Sequence, residues 1–125
     1  MLRLLLIVSG AFEALFGLSA LLAPDLLIAS LGSEPNAATI FLARVFGAAT
    51  LGLGIAALLA RDHAGTCGGL AIACGLGLYN VLAACLIIWT AMVLGGAPLW
   101  STGVIHAAIG ALFVVALAQR RQKSS

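Results

Sequence analysis

The chain of 125 residues is 63% apolar and only 8% charged, where a soluble domain runs at roughly 45–50% and about 25%. A mean hydropathy of +1.21 leaves too little polar surface to coat a globule in water, which excludes a soluble fold. A helix needs about 20 mostly apolar residues to cross a bilayer, so the length holds four spans with short connections and no soluble catalytic domain. The net charge of +2 implies no nucleic-acid partner.

The first apolar run covers residues 4–23 and is closed by Pro24-Asp25, because the residue before a proline is pushed out of helical geometry. Met1-Leu2-Arg3 ahead of Leu4-Leu5-Leu6-Ile7-Val8 has the outline of a signal peptide. Glu13 interrupts its apolar core, however, and Leu21-Leu22-Ala23 is a poor cleavage site, so an uncleaved span is expected. Residues 24–36 form a longer connection whose Leu26, Leu27, Ile28 and Leu31 suggest a short helix lying in the interface. The second span is expected over 37–60 and the third over 67–94, after the turn Arg61-Asp62-His63-Ala64-Gly65-Thr66. Gly95-Gly96-Ala97-Pro98 reads as a tight turn before a fourth span over 100–118. The expectation is one all-α domain, a polytopic four-transmembrane-helix bundle.

Cytoplasmic loops carry the Lys and Arg excess. Arg3, Arg61, Arg120, Arg121 and Lys123 fall on one side of this topology, whereas the two connections on the other side hold Asp25 and Glu34 and no basic residue. Both termini are therefore expected in the cytoplasm. Trp89 and Trp100 fall toward the outer ends of their spans, where an aromatic belt places them. Three basic residues in Arg120-Arg121-Gln122-Lys123 anchor such a topology and can touch anionic membrane lipid.

Each span carries one polar side chain at depth: Glu13, Arg44, Asn80 and His106. Such residues cost at least about 2.5–3.5 kcal/mol near the bilayer centre when charged, so they face the bundle interior and find partners. Glu13 and Asn80 come out near the midplane, with Arg44 and His106 on the order of 10 Å below the outer boundary. Small residues share the helical face of each: Ser9, Gly10 and Gly17 with Glu13, Ala48 and Gly52 with Arg44, Gly77 and Ala84 with Asn80, Gly103 and Gly110 with His106. Small faces are where membrane helices approach closely. The pattern predicts one polar cluster in the outer half of the core, with Arg44 reaching toward Glu13. Its plain reading is a buried ion pair that fixes helix register. Its sharper reading is a ligand pocket, because an isolated ion pair is a poor source of stability.

The remaining residues exclude several chemistries. Cys67, Cys74 and Cys85 are spaced by seven and eleven residues, about 10 Å or more along a helix, too far to share a metal. They form one stripe roughly opposite Asn80 and read as small packing residues. His106 alone cannot hold a two-histidine haem. Gly52-x-Gly54 and Gly75-x-Gly77 lie inside spans, without the strand-to-helix context of a nucleotide fingerprint. An enzyme using His106 or Glu13 as a general base lacks any nucleophile, metal set or phosphate loop to define its reaction.

Gly10 and Gly17, Pro24, Ala43-Arg44-Val45-Phe46-Gly47 and Leu51-Gly52-Leu53-Gly54 together resemble the DoxX-like group of small four-helix bacterial membrane proteins. That resemblance implies a four-helix bundle in the bacterial cytoplasmic (inner) membrane, and some members are associated with quinone-linked oxidation of sulfur compounds. One function expected on this basis is the binding of a lipophilic molecule, a quinone or lipid, or service as an accessory subunit of a larger membrane complex. In that reading Arg44 and His106 hydrogen-bond a carbonyl or acidic head group while Glu13 and Asn80 orient them. Length, four spans and the first-span Glu13 are also similar to the small multidrug resistance family, which implies a proton-coupled transporter. The basic bias and an Arg44 set against the carboxylate speak against it. A purely structural homo-oligomer, packed through the small faces, is the third reading.

Overall fold

A computed structural model describes residues 1–124, without the side chains of Arg121, Lys123 and Ser124. The basic charge expected from Arg121 and Lys123 thus lies outside the described residues. The described chain is helical, with no strand. Its elements are α1 (Leu2–Leu22), α2 (Pro24–Ser30), α3 (Ala37–Ala60), a 3-10 turn (Arg61–His63), α4 (Cys67–Leu94) and α5 (Ala97–Ser124). The four longer helices are long and apolar enough to cross a membrane, so the chain is an integral membrane protein built as a four-helix bundle.

Local chemistry sets most boundaries. Pro24 stops α1 and opens α2 at the first helical position, where its missing N–H is not needed. Asn36 caps α3: its Oδ1 accepts from the amides of Ala38 and Thr39, both at 3.0 Å, and Thr39 Oγ1 accepts from the Asn36 amide at 2.9 Å. This reciprocal arrangement satisfies amides that a helix start leaves open. Thr66 Oγ1 does the same for α4, accepting from the Gly69 amide at 3.2 Å. Between α4 and α5 the turn is only Gly95 and Gly96, with φ of 75° and 98°, backbone that a residue with a Cβ rarely adopts. Helix α5 therefore starts at Ala97, earlier than the expected residue 100, because Pro98 fits its first turn; it also runs on past 118 to Ser124.

The helices associate as two close pairs, α1 with α3 and α4 with α5, joined across a sparser seam. In α1 and α3 the pairing is backbone against backbone. A methyl group added to Gly17 would lie 2.5 Å from the Leu51 nitrogen and 2.6 Å from the Gly47 oxygen. One added to Gly54 would lie 2.5 Å from the Ala14 nitrogen and 2.6 Å from the Gly10 oxygen. Gly10 and Gly17 are seven residues apart, as are Gly47 and Gly54, so each pair lies two turns apart on one face. The antiparallel helices meet at both levels. Lipid offers no hydrophobic drive for helix association, so this close packing supplies it instead. The second pair has the same device in milder form, Gly110 facing Val81 and Gly103 facing Ile88.

Leu2, Leu6, Ala57, Ala60, Ala73, Leu76, Phe113 and Ala116 make a continuous apolar core. It fills the half of the bundle nearer the two termini. At that end Arg3 pairs with Asp62 at 2.9 Å, and Arg120 Nη1 donates to the Ala64 oxygen at 2.6 Å. Helix α2 packs at the other end against α1 and α3, burying Pro24 and Ile28 while Leu26 and Leu31 stay exposed.

Candidate functional site

Beyond Leu6 and Leu76 the core changes character. The next inward positions of α1 are Ser9 and Glu13, that of α4 is Asn80, and α5 contributes His106. Ser9, Glu13 and Asn80 are wholly buried and His106 is 5% exposed. The helices leave them no alternative. The glycine and alanine positions that allow close packing, Gly10 and Gly17 on α1 and Gly77 and Ala84 on α4, flank these polar residues on the same helical faces.

Asn80 is the hub of the layer. Its Nδ2 donates to the Leu76 oxygen at 2.9 Å and toward Ser9 Oγ at 3.4 Å, and its Oδ1 faces His106 Nδ1 at 2.8 Å. A carbonyl oxygen only accepts, so Leu76 fixes which end of the amide is nitrogen, and Oδ1 must then receive a proton from His106 Nδ1. The ring is held edge-on by Phe12 and Tyr79, with centroids at 5.6 and 5.7 Å. Three helices thereby converge on one hydrogen-bonded chain, Ser9 to Asn80 to His106.

Glu13 stands outside that chain. Both of its carboxyl oxygens are buried and neither forms a hydrogen bond of good geometry; the Tyr79 hydroxyl stands close enough for a loose one. Buried polar groups in proteins are nearly always satisfied, and an exception calls for an explanation. Thr50, also buried, needs none, since its hydroxyl bonds to the Phe46 and Gly47 oxygens of its own helix.

Of the four residues expected to share a cluster, the fold brings together Glu13, Asn80 and His106 and leaves Arg44 out. Arg44 is exposed on the flank of α3, and the Glu13–Arg44 ion pair expected from sequence does not form. The reason is which small-residue face of α3 turns inward. Gly47, Thr50, Gly54 and Ala57 are buried against the bundle, and Arg44 lies about 100° around the helix from the middle of that face. Its small neighbours Ala48 and Gly52 are exposed with it, and Gly52 has no atom within contact distance. Cys67, Cys74 and Cys85 are likewise exposed, so they are not part of the buried core of the bundle. No group of three or more potential metal ligands forms among the described residues.

No family model, curated protein or solved structure matches the chain. Its function therefore has to be argued from these side chains. Tyr79 and Phe12 are members of the layer that the sequence reading passed over. The one signal for Tyr79 was position: the chain's single tyrosine sits at mid-span, away from the membrane interface where tyrosine is enriched. What remains after the internal bonds are counted is the Glu13 carboxyl, whose two oxygens are the buried side-chain atoms left without a geometrically formed bond among the described residues, with the half-buried Tyr79 beside it.

Proposed function

We propose that this integral membrane protein binds a lipophilic molecule by its polar head in the Glu13, Asn80 and His106 layer. The supporting observation is the Glu13 carboxyl, fully enclosed with both oxygens unpartnered. A group of that kind is a standing cost to the fold. Leucine would fill the same space without it, so retention of the carboxyl favours a use over a structural role. Asn80 and Phe12 hold the His106 ring in one orientation, as a binding site requires. Arg44 has no part in this site, and the head group is met by Glu13 and His106. The end that carries both termini, with Arg3, Arg61 and Arg120, faces the cytoplasm in this proposal, in keeping with the positive-inside rule.

Native mass spectrometry of gently extracted wild type beside Glu13→Gln and His106→Phe tests the reading. A lipophilic molecule retained in stoichiometric amount by wild type and lost from both variants supports it. The same molecule, or none, on all three overturns it.

The absence of a cation beside Glu13 favours a second reading, proton-coupled exchange of a lipophilic cation at that carboxyl. The objection that Arg44 neutralises the carboxylate no longer holds, since Arg44 faces outward. In proteoliposomes this reading requires proton release on addition of a lipophilic cation by wild type and none by Glu13→Gln.

A further inference from the structure

Away from the Glu13 layer, at the end that carries both termini, a cavity of about 420 Å³ opens between α1, α5 and the turn that follows α3. Its volume is that of a small-molecule site, about 300–1,000 Å³. The buried Leu2 and Ala116 form an apolar floor, and the exposed Arg3, Gln119 and Arg120 stand at the rim. No acidic residue lines it among the described residues. The turn fixes Arg120, whose Nη1 donates to the Ala64 oxygen at 2.6 Å. A methyl group on Gly65 would lie 3.2 Å from Arg120 Nη2, so the bare glycine gives the guanidinium room to lie against the turn. Arg3 meets Asp62 at 2.9 Å, with its side chain still 68% exposed. Asp62 is shared with Arg61 at 3.4 Å, so three guanidinium groups stand against one carboxylate among the described side chains of this end.

We propose that this cavity is a phosphate site, held by Arg3 and Arg120 and occupied by the head group of one anionic phospholipid. Two like charges lining one cavity repel, and a bound anion relieves them. The planar fork of a guanidinium matches phosphate oxygens with paired, charge-assisted hydrogen bonds. Position favours a lipid as the source of the phosphate. Arg3 and Arg120 sit at the ends of the membrane-crossing stretches Leu2–Leu22 and Ala97–Arg120, the level of the head groups. Leu4 and Val115, next in sequence to the lining residues Arg3 and Ala116, are exposed, so apolar surface for acyl chains adjoins the site. Arg3 belongs to the α1–α3 pair and Arg120 to the α4–α5 pair, and a phosphate bound by both ties the pairs together where few contacts join α1 to α5. Such a site differs from the general attraction of basic residues to a negative leaflet. Arg61 separates the two, because it carries the same charge at the same end without lining the cavity.

The test titrates delipidated protein in a non-ionic detergent at about 0.15 M salt, where exposed charges are screened beyond about 8 Å. Dioleoylphosphatidylglycerol, dioleoylphosphatidylcholine and dioleoylglycerol share their acyl chains and differ in the head. Native mass spectrometry counts the bound lipid, with thermal shift as a second readout. Wild type is expected to hold one phosphatidylglycerol per chain, at least about tenfold more tightly than either other lipid. Arg3→Gln and Arg120→Gln should each weaken it by at least about tenfold, the equivalent of one hydrogen bond to a charged group. Arg61→Gln should weaken it by less than about threefold, since its charge lies outside the cavity and is screened. Glu13→Gln should leave it unchanged, so this site and the Glu13 layer fail or stand separately. Displacement of the lipid by millimolar inorganic phosphate would keep the phosphate site and overturn a lipid as its source. Equal retention of phosphatidylglycerol and phosphatidylcholine by wild type, or no retention of either, overturns the proposal whether or not the variants fold. It is also overturned if folded Arg3→Gln and Arg120→Gln proteins bind as wild type does, or if Arg61→Gln loses as much as they do.

Discussion

Replacing Gly17 by alanine places a carbon 2.5 Å from the Leu51 nitrogen and 2.6 Å from the Gly47 oxygen. Ordinary van der Waals contact begins at 3.4 Å, so α1 and α3 must part by nearly an ångström, because both obstacles are backbone and no rotamer change relieves them. A gap of 0.5–1 Å forfeits about a quarter to a half of the dispersion energy along the opened surface, and overpacking costs about 1–3 kcal/mol. The interface involved is the backbone-to-backbone seam of the bundle, which puts the cost near the top of that range. Alanine returns about 0.8–1.0 kcal/mol of helix propensity, leaving a net loss of about 2 kcal/mol. Gly52→Ala on α3 is the control: a methyl there meets nothing within 4 Å, so only the propensity gain remains and stability is unchanged or slightly raised. Both variants can be compared by SDS titration in mixed micelles, read by circular dichroism. A Gly17→Ala protein within about 0.5 kcal/mol of Gly52→Ala would refute the close approach of α1 and α3 and, with it, the assignment of the inward face of α3.

Glu13→Leu is expected to raise stability by about 1–3 kcal/mol by removing an unsatisfied buried group, while abolishing retention of the lipophilic ligand; a marked loss of stability in the same titration would show that the carboxyl holds the fold. Asn80→Ala and His106→Ala should be coupled, with a double-mutant cycle giving about 0.6–1.7 kcal/mol, the range for hydrogen bonds between membrane helices, and a coupling of zero would break the hub. Arg44→Leu should leave stability within about 0.5 kcal/mol of wild type, since the side chain lies outside the bundle; a loss as large as that of Asn80→Ala would restore it to the core. Cys67, exposed at the terminal end of α4, should resist a membrane-impermeant maleimide in intact cells and react after lysis. Labelling before lysis would invert the proposed orientation.

Composition and hydropathy are sums along the chain, and for that reason the sequence alone determined the class, the four spans and the small-residue faces around Glu13, Asn80 and His106. Helix ends were legible where local chemistry writes them, as at Pro24, Asn36 and Thr66. The start of α5 was misplaced because Gly95, Gly96 and Pro98 were read as one turn, when two glycines at positive φ suffice and a proline is welcome just inside a helix.

What the sequence left open was which of two small faces of α3 meets its neighbour. Ala48-Gly52-Ala56 and Gly47-Gly54 are both permissive by composition, and a helix has no preference between them until a partner is present. Only Gly47 and Gly54 match the spacing of Gly10 and Gly17 on α1. That match rotates Arg44 outward and deprives Glu13 of its expected counter-ion. It also leaves Tyr79, which the pattern did not single out, beside the carboxyl. Local propensity and burial are properties of one segment, whereas the partner of a buried charge depends on the register between two. That register was decided by backbone contact between helices, and tertiary structure alone records it.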